Sequence, residues 1–161
     1  MDLANWLSAF KALHERAKLG GLDSVEEQNY KAGREELARA LVAAQGLTRR
    51  PDQSPRMALR VARALQVDLE SRVRMERLTT SDLSLGGFSS PMARAPGSDE
   101  ELTVTMRLPD TDPFKGAVTI AGVKPQPGNV LVSFGFKKLE PEAAERLELA
   151  IFDMVLAKLG R

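Results

Sequence analysis

An α+β fold is the expectation for this chain: a six-stranded antiparallel β-barrel between an N-terminal helical hairpin and one C-terminal helix. Three observations predict it. Apolar residues recur at helical spacing in the first quarter of the sequence. The pattern then shifts toward a period of two, broken by turn residues at hairpin intervals. The final stretch returns to a helical period behind a proline.

The first helix is read from Leu3, Trp6, Leu7, Phe10, Leu13 and Ala17, which form one apolar stripe. Gly20-Gly21 ends it. Ser24-Val-Glu-Glu27 has the form of a capping box for the second helix, which presents Tyr30, Leu37, Leu41 and Ala44 on one face, with Gly46 at its end. Thr48-Arg-Arg-Pro-Asp-Gln-Ser-Pro55 reads as an extended linker, because proline removes an N–H and biases its predecessor away from the helical region. Six strands follow: Val61 to Leu69, Val73 to Leu83, Gly87 to Met92, Leu102 to Leu108, Ala117 to Val123 and Asn129 to Leu139. Leu102, Val104, Met106 and Leu108 alternate cleanly. Glu140-Pro141 opens the last helix, whose apolar face is Leu147, Ile151, Met154, Val155 and Leu159 and which is expected on one mouth of the barrel. The organisation is a helical hairpin over 1–46, an Arg/Pro linker over 47–58 and a barrel with its helix over 59–161.

Composition excludes several classes. The 161 residues carry a formal net charge of +1, so bulk electrostatics will not drive the chain onto DNA or a membrane. The basic excess is local. Residues 49–77 hold eight arginines and four acids, whereas residues 1–46 hold six bases and seven acids. The lack of cysteine excludes disulfides, thiolate metal sites and cysteine nucleophiles. No long apolar run predicts a membrane span and no leader is evident, so a cytoplasmic location is expected.

Two clusters carry the chemistry. Arg56-Met-Ala-Leu-Arg60 places two guanidinium groups four residues apart. On an extended chain both point to one side, about 13 Å apart at the backbone, from where long side chains converge on one dianion. Arginine pairs bidentately with phosphate or with the O6/N7 edge of guanine. With fifteen arginines in the chain, one such spacing is expected by chance, and taken alone a solvated basic face explains it better. Asp82-Leu83-Ser84-Leu85-Gly86-Gly87 is more specific. An ionised Asp82 accepts from guanine N1–H and N2–H, Ser84 lies on the same strand face, and the glycines permit close backbone approach. The plain alternative is a polar strand end with a glycine turn.

The conjunction of the two clusters, about one hairpin apart, resembles the paired signature of the PilZ family, receptors for cyclic di-GMP. The resemblance runs from Arg56 to Leu156 and takes in Val132-Ser-Phe134-Gly-Phe136 and the trailing helix. It implies that Arg56 and Arg60 grip phosphate and guanine, and that Asp82, Ser84 and Gly87 form the facing wall, with Gly86 aiding the turn. Arg49 and Arg50 lie just upstream as possible further contacts. The helical hairpin falls outside the resemblance.

Catalysis is not expected. His14 is the single histidine, reads as a helix-surface residue, and lacks the second histidine of a zinc-protease motif. No metal or cofactor is expected beyond the ligand itself. Trp6, Phe10 and Tyr30 fit helix-pair packing better than a stacking platform, and few aromatics are assigned to strands, which argues against an RNA-binding barrel. The expected function is therefore a cyclic di-GMP receptor that changes interdomain or partner contacts on binding. The alternatives are an adaptor of the same fold without nucleotide affinity and a small-barrel RNA binder. The hairpin is expected to dock a protein partner or a second copy of the chain, since its apolar stripes must pack on something.

Overall fold

A computed structural model describes residues 2–45, 59–97, 100–109 and 112–159. The chain divides into two compact units. One comprises the N-terminal part through Leu59 together with Phe152 to the C-terminus; the other runs from Arg60 to Ile151. The expected Arg/Pro linker, and with it Gly46, lies outside the described residues.

In the first unit, α1 (Leu3–Lys18) is capped by Asp2, whose carboxylate accepts the Asn5 N–H at 2.8 Å. It ends as the two glycines predict. Gly20 takes φ 72°, its N–H donates to Ala17 O at 3.1 Å, and the Gly21 N–H donates to Arg16 O at 3.0 Å. That reciprocal pair satisfies carbonyls the helix itself cannot. The start of α2 (Ser24–Gln45) differs by one residue from expectation. Asp23 is the cap, accepting the Glu26 N–H at 2.8 Å while Glu26 accepts the Asp23 N–H at 3.3 Å. An aspartate caps as well as a serine and adds charge at the positive helix end.

The buried face of α2 is Tyr30, Gly33, Arg34, Leu37, Ala38 and Val42. Leu41 is only half-buried and Ala44 is exposed. The Trp6 ring stacks on Phe10 (5.4 Å between centroids, 3°) and Phe10 stacks on Tyr30 (5.5 Å, 24°), so these aromatics pack within the unit. Gly33 permits that approach, because a Cβ there would lie 2.8 Å from the Phe10 ring. Leu3, assigned to the stripe, is exposed. From Phe152 onward the C-terminal helix α3 (Pro141–Leu159) joins this unit and buries Phe152, Val155 and Leu156. Within this unit the hairpin therefore packs against the end of the chain's own last helix.

Among the described residues the second unit is an antiparallel sheet of eight strands rather than six. They are β1 (Arg60–Val61), β2 (Gln66–Glu70), β3 (Met75–Thr79), β4 (Asp82–Ser84), β5 (Gly87–Met92), β6 (Leu102–Met106), β7 (Phe114–Gln126) and β8 (Asn129–Phe136), in the order β1-β4-β5-β8-β7-β6-β2-β3. The extra strands come from two interruptions facing each other across one hairpin. Residues 60–70 pair with 75–84 at both ends, as β1 with β4 and as β2 with β3, but the ladder breaks between. Thr80 holds the break. Its hydroxyl accepts the Leu65 N–H at 2.9 Å and donates to Arg63 O, and its own N–H donates to Leu65 O at 2.9 Å. A side chain that satisfies the backbone locally can replace ladder bonds. The hairpin's two ends become opposite edges of the sheet, so the hydrogen-bonded ladder does not close.

The other strands follow the alternation. Leu102, Val104 and Met106 are buried on β6, with Thr103 and Thr105 on the opposite face. The β7–β8 hairpin turns through Pro127 and Gly128 (φ 81°), the residue types a type II turn takes at its two central positions. It is longer than expected, with 13 residues in β7 and an irregularity between Ile120 and Gly122. The core holds Leu83, Phe88, Val104, Phe114, Val118, Val132 and Phe134, all essentially fully buried. Phe88 and Phe134 stack at 4.9 Å. Four phenylalanines therefore do lie in strands, contrary to expectation. Phe88, Phe114 and Phe134 are buried, which closes those three rings to base stacking, and Phe136 is half-buried against the rings of Phe88 and Phe114. Leu147 and Ile151, on the part of α3 within this unit, are buried too, and Arg146 donates to Asp112 O at 2.6 Å.

Candidate ligand-binding site

The second cluster forms one short hairpin at the β1 edge of the sheet. Asp82, Leu83 and Ser84 make β4, Leu85 and Gly86 turn the chain, and Gly87 begins β5. Leu83 is fully buried, so the alternation of β4 puts Asp82 and Ser84 together on the opposite face. Register pairs Arg60 of β1 with Ser84. That pairing puts Arg60 on the same face, diagonal to Asp82, and its Nη1 donates to Asp82 Oδ1 at 3.1 Å. The two clusters therefore meet through Arg60 and Asp82. Both side chains remain partly open to solvent, 48% and 32%. Exposed pairs of this kind add roughly 0–1 kcal/mol to stability. The pair is thus better understood as orientation than as a staple of the fold.

The remaining members are braced internally. Ser84 is buried and its hydroxyl donates to Gly87 O at 3.3 Å. The Gly86 carbonyl accepts the Phe136 N–H at 2.9 Å, tying the turn to the end of β8. Gly87 is required by packing. A Cβ there would fall 1.9 Å from Phe134 O, a backbone atom that cannot step aside. Arg56, Arg49 and Arg50 lie outside the described residues.

Sequence reasoning missed two neighbours. Ser89 pairs with Asp82, and Ser133 pairs with Ser89. Asp82, Ser89 and Ser133 hence form one row across three strands, with the two serine hydroxyls 3.1 Å apart. The alternation of the small residues Ser133 and Gly135 with Val132, Phe134 and Phe136 was the available signal.

His14 is corrected. It is buried, not a surface residue. Its Nδ1 and the Tyr30 hydroxyl are 2.5 Å apart, and its Nε2 lies 3.3 Å from Asp153 Oδ1, which also accepts from Lys18 Nζ at 2.8 Å. Burial holds the His14 pKa below its ordinary value, against the pull of Asp153. Burial would raise the Asp153 carboxyl, but the Lys18 and His14 contacts outweigh it and hold it below the usual value. This cluster lies wholly in the helical unit and is not part of the sheet-edge site. Among the described residues no group of histidine and acidic side chains is placed to hold a metal ion, and no helix is long and apolar enough to cross a membrane.

Comparison with known proteins agrees with this fold. The family model described as PilZ domain matches residues 51–153. The chain belongs to the PilZ domain family. Among solved structures it resembles the Bacillus subtilis inhibitor of motility MotI/DgrA (18% identity, TM-score 0.55, covering 62% of this chain and 50% of that one). It also resembles Escherichia coli YcgR in complex with c-di-GMP (16%, TM-score 0.55, 63% and 46%) and apo MrkH of K. pneumonia (18%, TM-score 0.54, 71% and 56%). At these identities the likeness is one of fold. The chain spans about half the length of these structures. No curated protein matches the sequence.

Proposed function

We propose that the protein is a cytoplasmic cyclic di-GMP receptor that binds and signals rather than catalyses. The observation that carries this reading is the meeting of Arg60 and Asp82, 3.1 Å apart, at one edge of a PilZ-domain sheet. Membership of the family supports it, and the fold is shared with YcgR, which is solved with this dinucleotide. Arg60 supplies a planar fork suited to a phosphate or to the O6/N7 edge of guanine, and Arg56 supplies the second. Asp82, Ser84 and Gly87, with Gly86 in the turn, make the facing wall. Arg49 and Arg50 are further candidates for phosphate contacts.

Ligand binding at the junction of the linker and the sheet changes the contacts that the helical hairpin makes, with a protein partner or with a second copy of the chain. Leu3, Leu19 and Val25 are exposed apolar residues on that hairpin. Light scattering with and without cyclic di-GMP reports any change in assembly.

Thermal denaturation tests the receptor reading. A ligand that binds only the folded chain raises the midpoint with concentration. Cyclic di-GMP should do so, with GTP and cyclic di-AMP at equal concentration far less effective. Salt-sensitive RNA binding without a response to the dinucleotide would point instead to a nucleic-acid protein.

A further inference from the structure

We propose that Thr80 is a positioning residue for ligand binding, whose hydroxyl sets where β1, and with it Arg60, stands on the edge of the sheet. The inference rests on the cyclic di-GMP reading of the site and adds a residue that lies outside both sequence clusters.

The backbone around the break in the hairpin carries it. β1 is two residues long and shares two register pairs with β4. Val61 is buried and decides which face β1 turns inward, but so short a ladder does little to fix the path of the chain that leaves it. Ala62, Arg63 and Ala64 follow with exposed side chains, so packing does not set the way onward to β2. Thr80 sets it. Its hydroxyl accepts the Leu65 N–H at 2.9 Å and donates to Arg63 O, and its own N–H donates to Leu65 O at 2.9 Å. Thr80 is in turn held from β5 on both sides. The Ser90 hydroxyl donates to Thr79 O at 2.8 Å, and the Ser81 N–H donates to Ser89 O at 2.8 Å. At 3% exposure Thr80 is too deep to touch a ligand, and it stands two residues before Asp82 on the same run of chain. One fixed hydroxyl thus ties the segment that carries Arg60 to the segment that carries Asp82. Without it the buried Leu65 N–H loses that partner, and the chain from Val61 to Leu65 loosens or re-routes to find another. A ligand gripped by Arg60 must then order that segment as it binds, which lowers affinity.

Calorimetric titration of cyclic di-GMP into the parent chain, Thr80→Val and Thr80→Ser tests this, at a temperature where thermal unfolding shows each chain to be fully folded. Thr80→Val keeps the shape and strand preference of threonine and removes the hydroxyl, whereas Thr80→Ser keeps the hydroxyl. The valine variant should bind about five- to tenfold more weakly than the parent, and the serine variant within about twofold of it. Amide hydrogen exchange without ligand should rise over residues 61–65 of Thr80→Val by at least about tenfold more than it rises in β6 and β8. A residue that served stability alone would lower the midpoint and speed exchange evenly across the sheet, and would leave the affinity of the folded chain unchanged. Should Thr80→Val not fold, Thr80→Ala takes its place, and failure of both assigns Thr80 to the fold and overturns the inference. Parent-like affinity in the valine variant, an equal loss in the serine variant or an even rise in exchange also overturns it, and leaves the receptor reading intact. A parent chain that binds no cyclic di-GMP overturns both.

Discussion

His14 and Asp153 are 139 residues apart in the chain and 3.3 Å apart in the structure. With Nδ1 accepting from the Tyr30 hydroxyl, Nε2 carries the proton toward Asp153, so a neutral imidazole satisfies one partner on α2 and one on α3. Glu15 and Lys18 from α1 also act on it, with opposite signs.

This arrangement predicts a pH-dependent stability. The folded-state pKa of His14 lies below the ordinary 6.5, so the unfolded chain binds the proton more readily. The contribution is fully present above about pH 6.5 and is lost as pH falls toward the folded-state value. His14→Phe should cost about 1–3 kcal/mol at neutral pH, because the buried Tyr30 hydroxyl loses a partner, and should flatten the slope below pH 6.5. Urea midpoints between pH 5 and 8 measure it. Parallel curves for parent and variant would remove His14 as the source.

Gly33→Ala should destabilise the helical unit. The added methyl falls 2.8 Å from two carbons of the buried Phe10 ring, which stacks between Trp6 and Tyr30 and has little room to yield. Overpacking of this kind costs about 1–3 kcal/mol, partly offset by roughly 1 kcal/mol of helix propensity. A thermal midpoint at or above that of the parent would contradict the packing described.

Gly87→Ala should be worse, because the obstacle is the backbone carbonyl of Phe134. The β4–β5 hairpin must shift or the β5–β8 pairing must open, at a cost of more than about 2 kcal/mol. Denaturant unfolding of the variant measures it. Near-parent stability would mean that this glycine serves the ligand rather than the sheet.

Much of the sheet was legible because one face of each strand is buried, as Leu102, Val104 and Met106 show. The break at Thr80 was not. Threonine favours strands, and nothing local announces that its hydroxyl will bond to Leu65 and Arg63 instead. The shifted cap at Asp23 is a contest between two good capping residues, decided by geometry. His14 was misread because both of its partners are distant in sequence. At the site, register alone placed Arg60 beside Asp82, and the motif residues were legible as a group. The inward engagement of Ser84 and Gly87 was invisible, since it depends on a turn and on β8.

The central claim is tested most directly by calorimetric titration of cyclic di-GMP into the parent chain, Arg60→Ala and Arg56→Ala. The account predicts saturable binding by the parent and a loss of roughly 2–4 kcal/mol in each arginine variant, the cost of removing a charge-assisted fork. Each variant should keep the parent's unfolding midpoint without ligand. A parent that does not bind, or arginine variants that bind as the parent does, would contradict it.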